Sequence, residues 1–167
     1  MRRCALLLIL ICALAVGRTA PALAADAAET QTKAVEALKE LGAVIVVDAK
    51  SPGKPPIRLM LKGDTVTDKC LDHVLALSKL QEIEFNDTAV SGAGVKRLKG
   101  LPNLRDLILR NSILDDDDLE NLEELTNIRK LTMNDNRITG SGLKYLKKLS
   151  KLKYLHLGEL LIIGTII

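Results

Sequence analysis

The sequence predicts an α/β solenoid, a short right-handed horseshoe arc with parallel strands on the concave face and helices on the convex face. Residues 78–101, 102–125 and 126–149 are copies of one 24-residue unit that align without a gap. Such units bury their apolar columns only by stacking on their neighbours. The shared columns are Leu80/Leu104/Ile128, Ile83/Leu107/Leu131, Phe85/Leu109/Met133, Val90/Leu114/Ile138, Val95/Leu119/Leu143, Leu98/Leu122/Leu146 and Leu101/Leu125/Leu149.

Residues 1–24 have the pattern of a secretory signal peptide. Arg2 and Arg3 precede an apolar run at residues 5–16, and Ala22-Leu23-Ala24 places small residues before a cut after Ala24. The run is shorter than the roughly 20 residues of a transmembrane helix. We therefore expect a secreted or periplasmic protein without a membrane span in the mature chain, and a retained anchor is the alternative.

Removing the signal peptide changes the charge and cysteine arguments. Residues 1–24 hold three arginines and no acid, so the rest of the chain carries 21 basic and 21 acidic residues. Without a net positive field, we expect neither a nucleic-acid partner nor an anionic-membrane partner. Cys4 and Cys12 leave with the signal peptide, and Cys70 has no cysteine with which to form an internal disulfide.

An N-terminal cap is predicted at residues 25–53. Ala34, Val35, Leu38 and Leu41 form one apolar stripe of a helix, and Gly42 suits the position after its end. Residues 44–47 predict a strand, and Ser51-Pro52-Gly53 predicts a turn into the repeats.

The repeat region is predicted to cover residues 54–157, as units 54–77, 78–101, 102–125 and 126–149 with a partial unit at 150–157. Each unit has the pattern of a short strand, a turn and a helix of two to three turns. Thr67, Ser91, Asp115 and Thr139 share one column, and all four are preferred N-cap residues. This column predicts a helix on the convex side of every complete unit.

Residues 158–167 are an irregular apolar tail that breaks the repeat pattern. The segment 160–167 has no charge and is rich in β-branched residues, a composition that favours strand pairing. Three interpretations are open: an apolar cap on the last repeat, a truncated or shifted reading frame, and an edge that binds a partner or a second copy of the chain.

The repeats LQEIEFNDTAVSGAGVKRL and IRKLTMNDNRITGSGLKYL resemble the ribonuclease-inhibitor-like branch of leucine-rich-repeat proteins. More narrowly, they are similar to short secreted bacterial repeat proteins whose units read T-D-A-G-L. This resemblance implies a protein-interaction module without catalytic residues. The chain departs from the pattern at Asp115–Asp118, at Cys70, which stands where other units have glycine, and in the broken last unit.

Two clusters of polar side chains could form a metal site or a catalytic site, but a structural role explains each of them better. Asp115–Asp118 lacks the spaced ligands and glycine of a calcium loop, and acids in a first helical turn suit the helix dipole. Cys70 and His73 lie one helical turn apart, but no third residue is placed to orient them. We therefore expect no catalytic residue, no metal site and no cofactor.

The concave face is the expected binding surface, because outward strand residues are free of packing. We expect a non-catalytic module that binds a protein or peptide there, and the alternative is an envelope-structural or self-assembling protein that associates through residues 160–167. The candidate binding residues are Arg58, Met60, Lys62, Glu82, Glu84, Asn86, Asp106, Ile108, Arg110, Lys130, Thr132, Asn134, Tyr154 and His156.

Overall fold

The computed structural model describes residues 20–158, which build one six-stranded sheet with helices packed on one side. The predicted α/β fold is confirmed. The strands lie in chain order, and β1 is antiparallel to β2 whereas β2 to β6 are parallel. Their ranges are β1 (Val44–Val47), β2 (Pro56–Lys62), β3 (Glu82–Asn86), β4 (Asp106–Arg110), β5 (Lys130–Thr132) and β6 (Tyr154–His156).

The register of the sheet repeats every 24 residues. One row of paired residues crosses all five parallel strands and starts at Arg58; it runs through Glu82, Asp106, Lys130 and Tyr154. Because side chains alternate along a strand, a 24-residue step keeps each apolar column on one side of the sheet. Every unit therefore presents its outward strand residues on the same face.

The core fills the space between the sheet and the helices. The inward strand side chains of the central units, such as Leu107 and Leu109, have no exposed surface. The core continues from Ala34 in the N-terminal cap to Leu157 beyond the last strand. Towards the C-terminal end burial decreases, and Leu143, Leu152 and Leu155 are only partly buried.

The helices on the convex side change type along the chain. The first two are α-helical, α2 (Leu71–Leu75) and α3 (Gly92–Arg97), with short 3₁₀ turns at Asp68–Cys70 and Leu98–Gly100. The next two are 3₁₀ helices, Asp117–Leu122 and Ser141–Lys148. A helix was expected in each complete unit, but neither α-helix reaches two to three turns, and the last two helices have the tighter i→i+3 hydrogen bonding.

The N-terminal cap contains a longer helix than its apolar stripe predicts. Helix α1 (Ala20–Glu40) ends before Gly42, whose φ of +80° is the left-handed conformation expected after a helix. The helix includes the cut predicted after Ala24. Residues 1–19 of the predicted signal peptide and residues 159–167 of the tail lie outside the described residues. No helix in the described part of the chain is long and apolar enough to cross a membrane.

The predicted N-cap column functions at two of its four positions. Ser91 Oγ accepts from the N–H of Gly94, and Asp115 Oδ1 accepts from the N–H groups of Asp117 and Asp118. Thr67 precedes its 3₁₀ turn without a side-chain cap, and Thr139 donates its hydroxyl to Asp116 instead. The prediction of a side-chain N-cap is therefore wrong at these two threonines.

A column of left-handed residues follows strands β2 to β5. Gly63, Asp87, Asn111 and Asp135 all have positive φ, between 44° and 110°. Glycine, asparagine and aspartate are the residues that adopt this conformation most easily. This shared conformation turns each strand towards the convex side in the same way.

Candidate interaction surface

The centre of the concave face is an ionic network around a buried carboxylate. The side chain of Glu84 is only 6% exposed and lies between two arginines on the neighbouring strands. Arg110 donates to Glu84 Oε1 at 2.9 Å, and the Arg58 guanidinium lies 3.5 Å from Oε2. Arg58 also reaches Glu82 at 3.2 Å, and Asn86 donates to Glu84 at 2.9 Å. Five of the candidate residues thus stabilise one another.

The middle row of the concave face is buried on the three central strands, contrary to the expectation that outward residues are free of packing. Glu84, Ile108 and Thr132 occupy this row on β3, β4 and β5, and each is 4% exposed. Arg58 and Arg110, from the rows on either side, both contact Glu84. The centre of the face is therefore a packed floor rather than an accessible contact surface.

The N-terminal end of the concave face carries an apolar patch that the sequence analysis missed. Val44 and Val46 pair with Met60 and Arg58 across β1 and β2, so they extend the concave face by one strand. They are 58% and 46% exposed. The uncharged run of residues 44–47 could have predicted this patch. Because successive side chains of a strand point to opposite faces, a fully apolar strand places some apolar side chains on the outer face.

The C-terminal end of the face is also exposed. Tyr154 is 67% exposed on β6, and it lies beside Lys130 in the row of paired residues. His156 is exposed two residues further along the same strand. Tyrosine is a frequent anchor of protein interfaces because it combines a large apolar surface with a hydroxyl group.

The remaining candidate residues lie along the sides of the face. Lys62 pairs with Asp87 at 3.4 Å, and Asp106 is half-buried at the start of β4. Asn86 and Asn134 each keep a buried side-chain oxygen without a hydrogen-bond donor among the described residues. Both acceptors are buried, so they belong to the interior of the sheet rather than to an accessible contact surface.

The run Asp115–Asp118 is accounted for by hydrogen bonds between repeats. Asp116 accepts from the backbone N–H of Thr139 and Gly142 and from the Ser141 hydroxyl at 2.8 Å. Burial raises the pKa of Asp116, but the donors of Thr139, Ser141 and Gly142 lower it to about 2. Asp118 accepts from the N–H of Asp115. The described residues contain no group of histidine, cysteine and acidic side chains that could hold a metal.

Asp68 makes the corresponding hydrogen bonds between repeats two units earlier in the chain. Its carboxylate accepts from Ser91 N–H at 2.9 Å and from Ser91 Oγ at 2.6 Å. A Cβ on Gly94 would lie 2.1 Å from this carboxylate, and a Cβ on Gly142 would lie 2.5 Å from the Asp116 carbonyl oxygen. The two glycines therefore leave room for the aspartates that link the units.

The thiol of Cys70 is not activated. Burial, with a smaller contribution from the Asp68 carboxylate, raises its pKa to about 11. A protonated thiol is a weak nucleophile at neutral pH. Its burial fits its place in the core, in the column that holds Gly94 and Gly142 in later units.

Comparison with known proteins supports the fold. No protein-family model matches the sequence, and no curated protein does. The chain is similar to the solved structure of an internalin (inlF) from Listeria monocytogenes strain 4b F2365, with 20% identity and a TM-score of 0.51. That likeness covers 77% of this chain and 35% of the internalin, so the chain spans about a third of its length.

A second solved structure, internalin C2 (inlC2) from the same strain, has 18% identity and a TM-score of 0.34, covering 73% of this chain and 71% of that one. The likeness to inlF, together with the strand and helix repeat, confirms the predicted leucine-rich-repeat solenoid. The ribonuclease-inhibitor-like repeat type stays a prediction.

Proposed function

We propose that the chain is a non-catalytic module that binds a protein or peptide partner across its concave face. The observation that carries this proposal is the distribution of exposure on that face. Two exposed apolar ends, Val44 with Val46 and then Tyr154, flank a centre whose charges are already paired. Exposed apolar and aromatic side chains on an ordered sheet are features of binding surfaces.

The ionic centre supports binding by holding the face in shape. Glu84 is already neutralised by Arg58 and Arg110, so a partner has little to gain from replacing either arginine. The binding free energy would come instead from the two ends, with the mixed charges along the sides selecting the partner. Six strands at about 4.8 Å span only about 25–30 Å, which suits a peptide or a small contact.

The location belongs to the same proposal. A secreted or periplasmic chain is supported by the signal-peptide pattern of residues 1–24. The listerial structure with the same fold supports a leucine-rich-repeat protein but not a location for this chain.

Self-assembly through residues 160–167 is the second candidate function. The observation that favours it is the uncharged, β-branched composition of that segment, which follows the edge strand β6 in the sequence. Multi-angle light scattering separates the two functions. A monomer favours the binding module, and a defined oligomer that dissociates when residues 160–167 are deleted favours self-assembly.

The binding proposal is tested with immobilised protein and the extracytoplasmic fraction of the source cells. We expect Tyr154→Ala and Val46→Ser to lose the partner that the unmodified chain captures. Ile113→Ala is the matched control, because Ile113 is 55% exposed but lies outside the strands that form the face. Equal capture by all three variants, or equal loss, would contradict binding through the concave face.

A further inference from the structure

The rim formed by the loops before β4, β5 and β6 carries a cluster of positive charge. Arg105 and Arg129 immediately precede β4 and β5, and Lys151 and Lys153 precede β6. We call these four residues the basic rim. All four side chains are exposed. The opposite rim, after the strands, carries Asp64, Asp87, Asp135 and the run Asp115–Asp118. The balanced net charge therefore hides a strong polarisation between the two rims.

The backbone sets the spacing of the basic rim. The N–H of Arg129 donates to the carbonyl oxygen of Arg105 at 2.7 Å, and the N–H of Lys153 donates to that of Arg129 at 2.8 Å. Residues in one column of a parallel sheet are about 4.8 Å apart. The side chains of Arg105 and Arg129 are therefore attached to neighbouring backbone positions that the sheet holds in place.

A polar cleft of about 170 Å³ lies between these side chains. Its lining residues are Pro102, Asn103, Arg105, Asn127, Arg129 and Lys151. The two asparagines donate to backbone carbonyl oxygens, Asn103 to Ser78 and Asn127 to Pro102, and these bonds position their side chains. Lys151 is positioned by a 2.7 Å hydrogen bond to Asn127 Oδ1. The lining contains three cations and no carboxylate.

The two arginines of the cleft lack the ion-pair partners that three other arginines possess. Arg58, Arg97 and Arg110 each form an ion pair. The guanidinium groups of Arg105 and Arg129 form neither a hydrogen bond nor an ion pair with any residue that the structure describes. Their donors are available to a ligand.

We propose that this cleft binds a phosphate group. Three cations call for a ligand with more than one negative charge, and a phosphate monoester carries about −1.5 to −2 at neutral pH with three acceptor oxygens. Guanidinium groups match phosphate oxygens through paired N–H donors, whereas a single carboxylate balances only one of the three charges. The site is separate from the concave face, so it stands whether or not that face binds a protein.

The source of the phosphate is either a soluble phosphate or the phosphomonoester headgroup of an anionic lipid. The sequence argument against an anionic-membrane partner rested on net charge, and the separation of charge between the rims removes that objection. Both sources use the same chemistry at Arg105 and Arg129, so the experiment has one arm for each.

The test is an NMR titration of the full chain at constant ionic strength, with inorganic phosphate as the first probe. We expect saturable shifts of the Arg105 and Arg129 side-chain N–H signals. Arg105→Gln with Arg129→Gln should weaken binding by about tenfold or more. The matched control is Arg137→Gln with Lys147→Gln, two exposed cations elsewhere that form no ion pair with any residue the structure describes. It should change the affinity by less than about twofold. Circular dichroism checks that both double variants fold.

The second arm measures co-sedimentation with vesicles of phosphatidic acid, whose headgroup is a phosphate monoester, and phosphatidylcholine, against phosphatidylcholine alone. Vesicle binding that needs Arg105 and Arg129 supports the site and assigns it to lipid headgroups, and phosphate binding without vesicle binding supports it for soluble phosphates. Binding of neither probe would overturn the proposal. So would equal losses in the two double variants, or glutarate binding as tightly as phosphate, because general charge or carboxylate recognition would then explain the result.

Discussion

The N-terminal and C-terminal halves of the solenoid use one 24-residue pattern but fold its helical segment differently. Helix α3 begins at Gly92 with a Ser91 cap and an i→i+4 hydrogen bond from Val95 N–H to Ser91 O at 2.9 Å. The segment Ser141–Lys148 has i→i+3 bonding, from Leu143 N–H to Gly140 O at 3.1 Å. The leucine columns therefore fix the path of the chain but not the type of helix.

The two helices also differ in what occupies their first N–H groups. In α3, the serine side chain caps the helix from within the same unit and Asp68 holds that serine. In the later unit, Asp116 takes the N–H groups of Thr139 and Gly142 directly. The first turn of the later helix is thus held from the neighbouring unit. The C-terminal half depends more on contacts between units, and its leucines are less well buried.

The largest expected effect compares two leucines of one column. Leu107→Ala should lower the free energy of unfolding by about 2–5 kcal/mol, because Leu107 is completely buried in the central unit. Leu155→Ala, the matched control in β6, should cost about half as much, because Leu155 is only partly buried. Chemical denaturation measures both.

Leu131→Ala should behave like Leu107→Ala, since both side chains have no exposed surface. A loss below about 0.5 kcal/mol at either position would mean that the strand register is wrong. Equal losses at Leu107 and Leu155 would contradict the weaker packing of the C-terminal end.

The second prediction concerns the pH dependence of the link made by Asp116. Its folded pKa of about 2 lies below the ordinary 3.8, so its contribution is complete above about pH 4 and is lost as the pH falls towards 2. Over this pH range, we expect the free energy of unfolding of the unmodified chain to fall by about 1–2 kcal/mol more than that of Asp116→Asn, after allowing for solvent screening.

Asp117→Asn is the control for this measurement, because the Asp117 carboxylate accepts no hydrogen bond among the described residues. The readout is the free energy of unfolding at a series of pH values. The same pH profile for Asp116→Asn and Asp117→Asn would show that the link between the units carries no stability.

The fold could be predicted from the sequence because the same apolar positions recur in every 24-residue unit. A 24-residue period with fixed apolar positions determines which side chains face the core, and Leu107 and Phe85 are buried as that period requires. The period could not predict the side-chain hydrogen bonds that join one unit to the next. Asp68 reaches Ser91 and Asp116 reaches Gly142, and these distances depend on side-chain rotamers and helix type, which the period does not specify.

The concave face was predicted as a set of outward positions, but their accessibility was not. Glu84 is outward in register and still buried, because arginines on both neighbouring strands fold over it. Val44 and Val46 were assigned to a cap strand, and only the antiparallel pairing of β1 with β2 puts them on the face. Cross-strand neighbours therefore decide which outward residues a partner can touch.

The smallest expected effect tests the acidic run of the C-terminal half as a cap. Asp115 Oδ1 accepts from the N–H of Asp117 at 3.0 Å and of Asp118 at 3.1 Å. Asp115→Ala removes these bonds and should cost about 1 kcal/mol. Calcium should not change the melting temperature of the unmodified chain, because Asp115, Asp116 and Asp118 already accept protein donors. Thermal denaturation with EDTA and with millimolar calcium gives the answer. A rise of several degrees in calcium, lost in Asp115→Ala, would show that the run binds a cation and that the cap is not its main role.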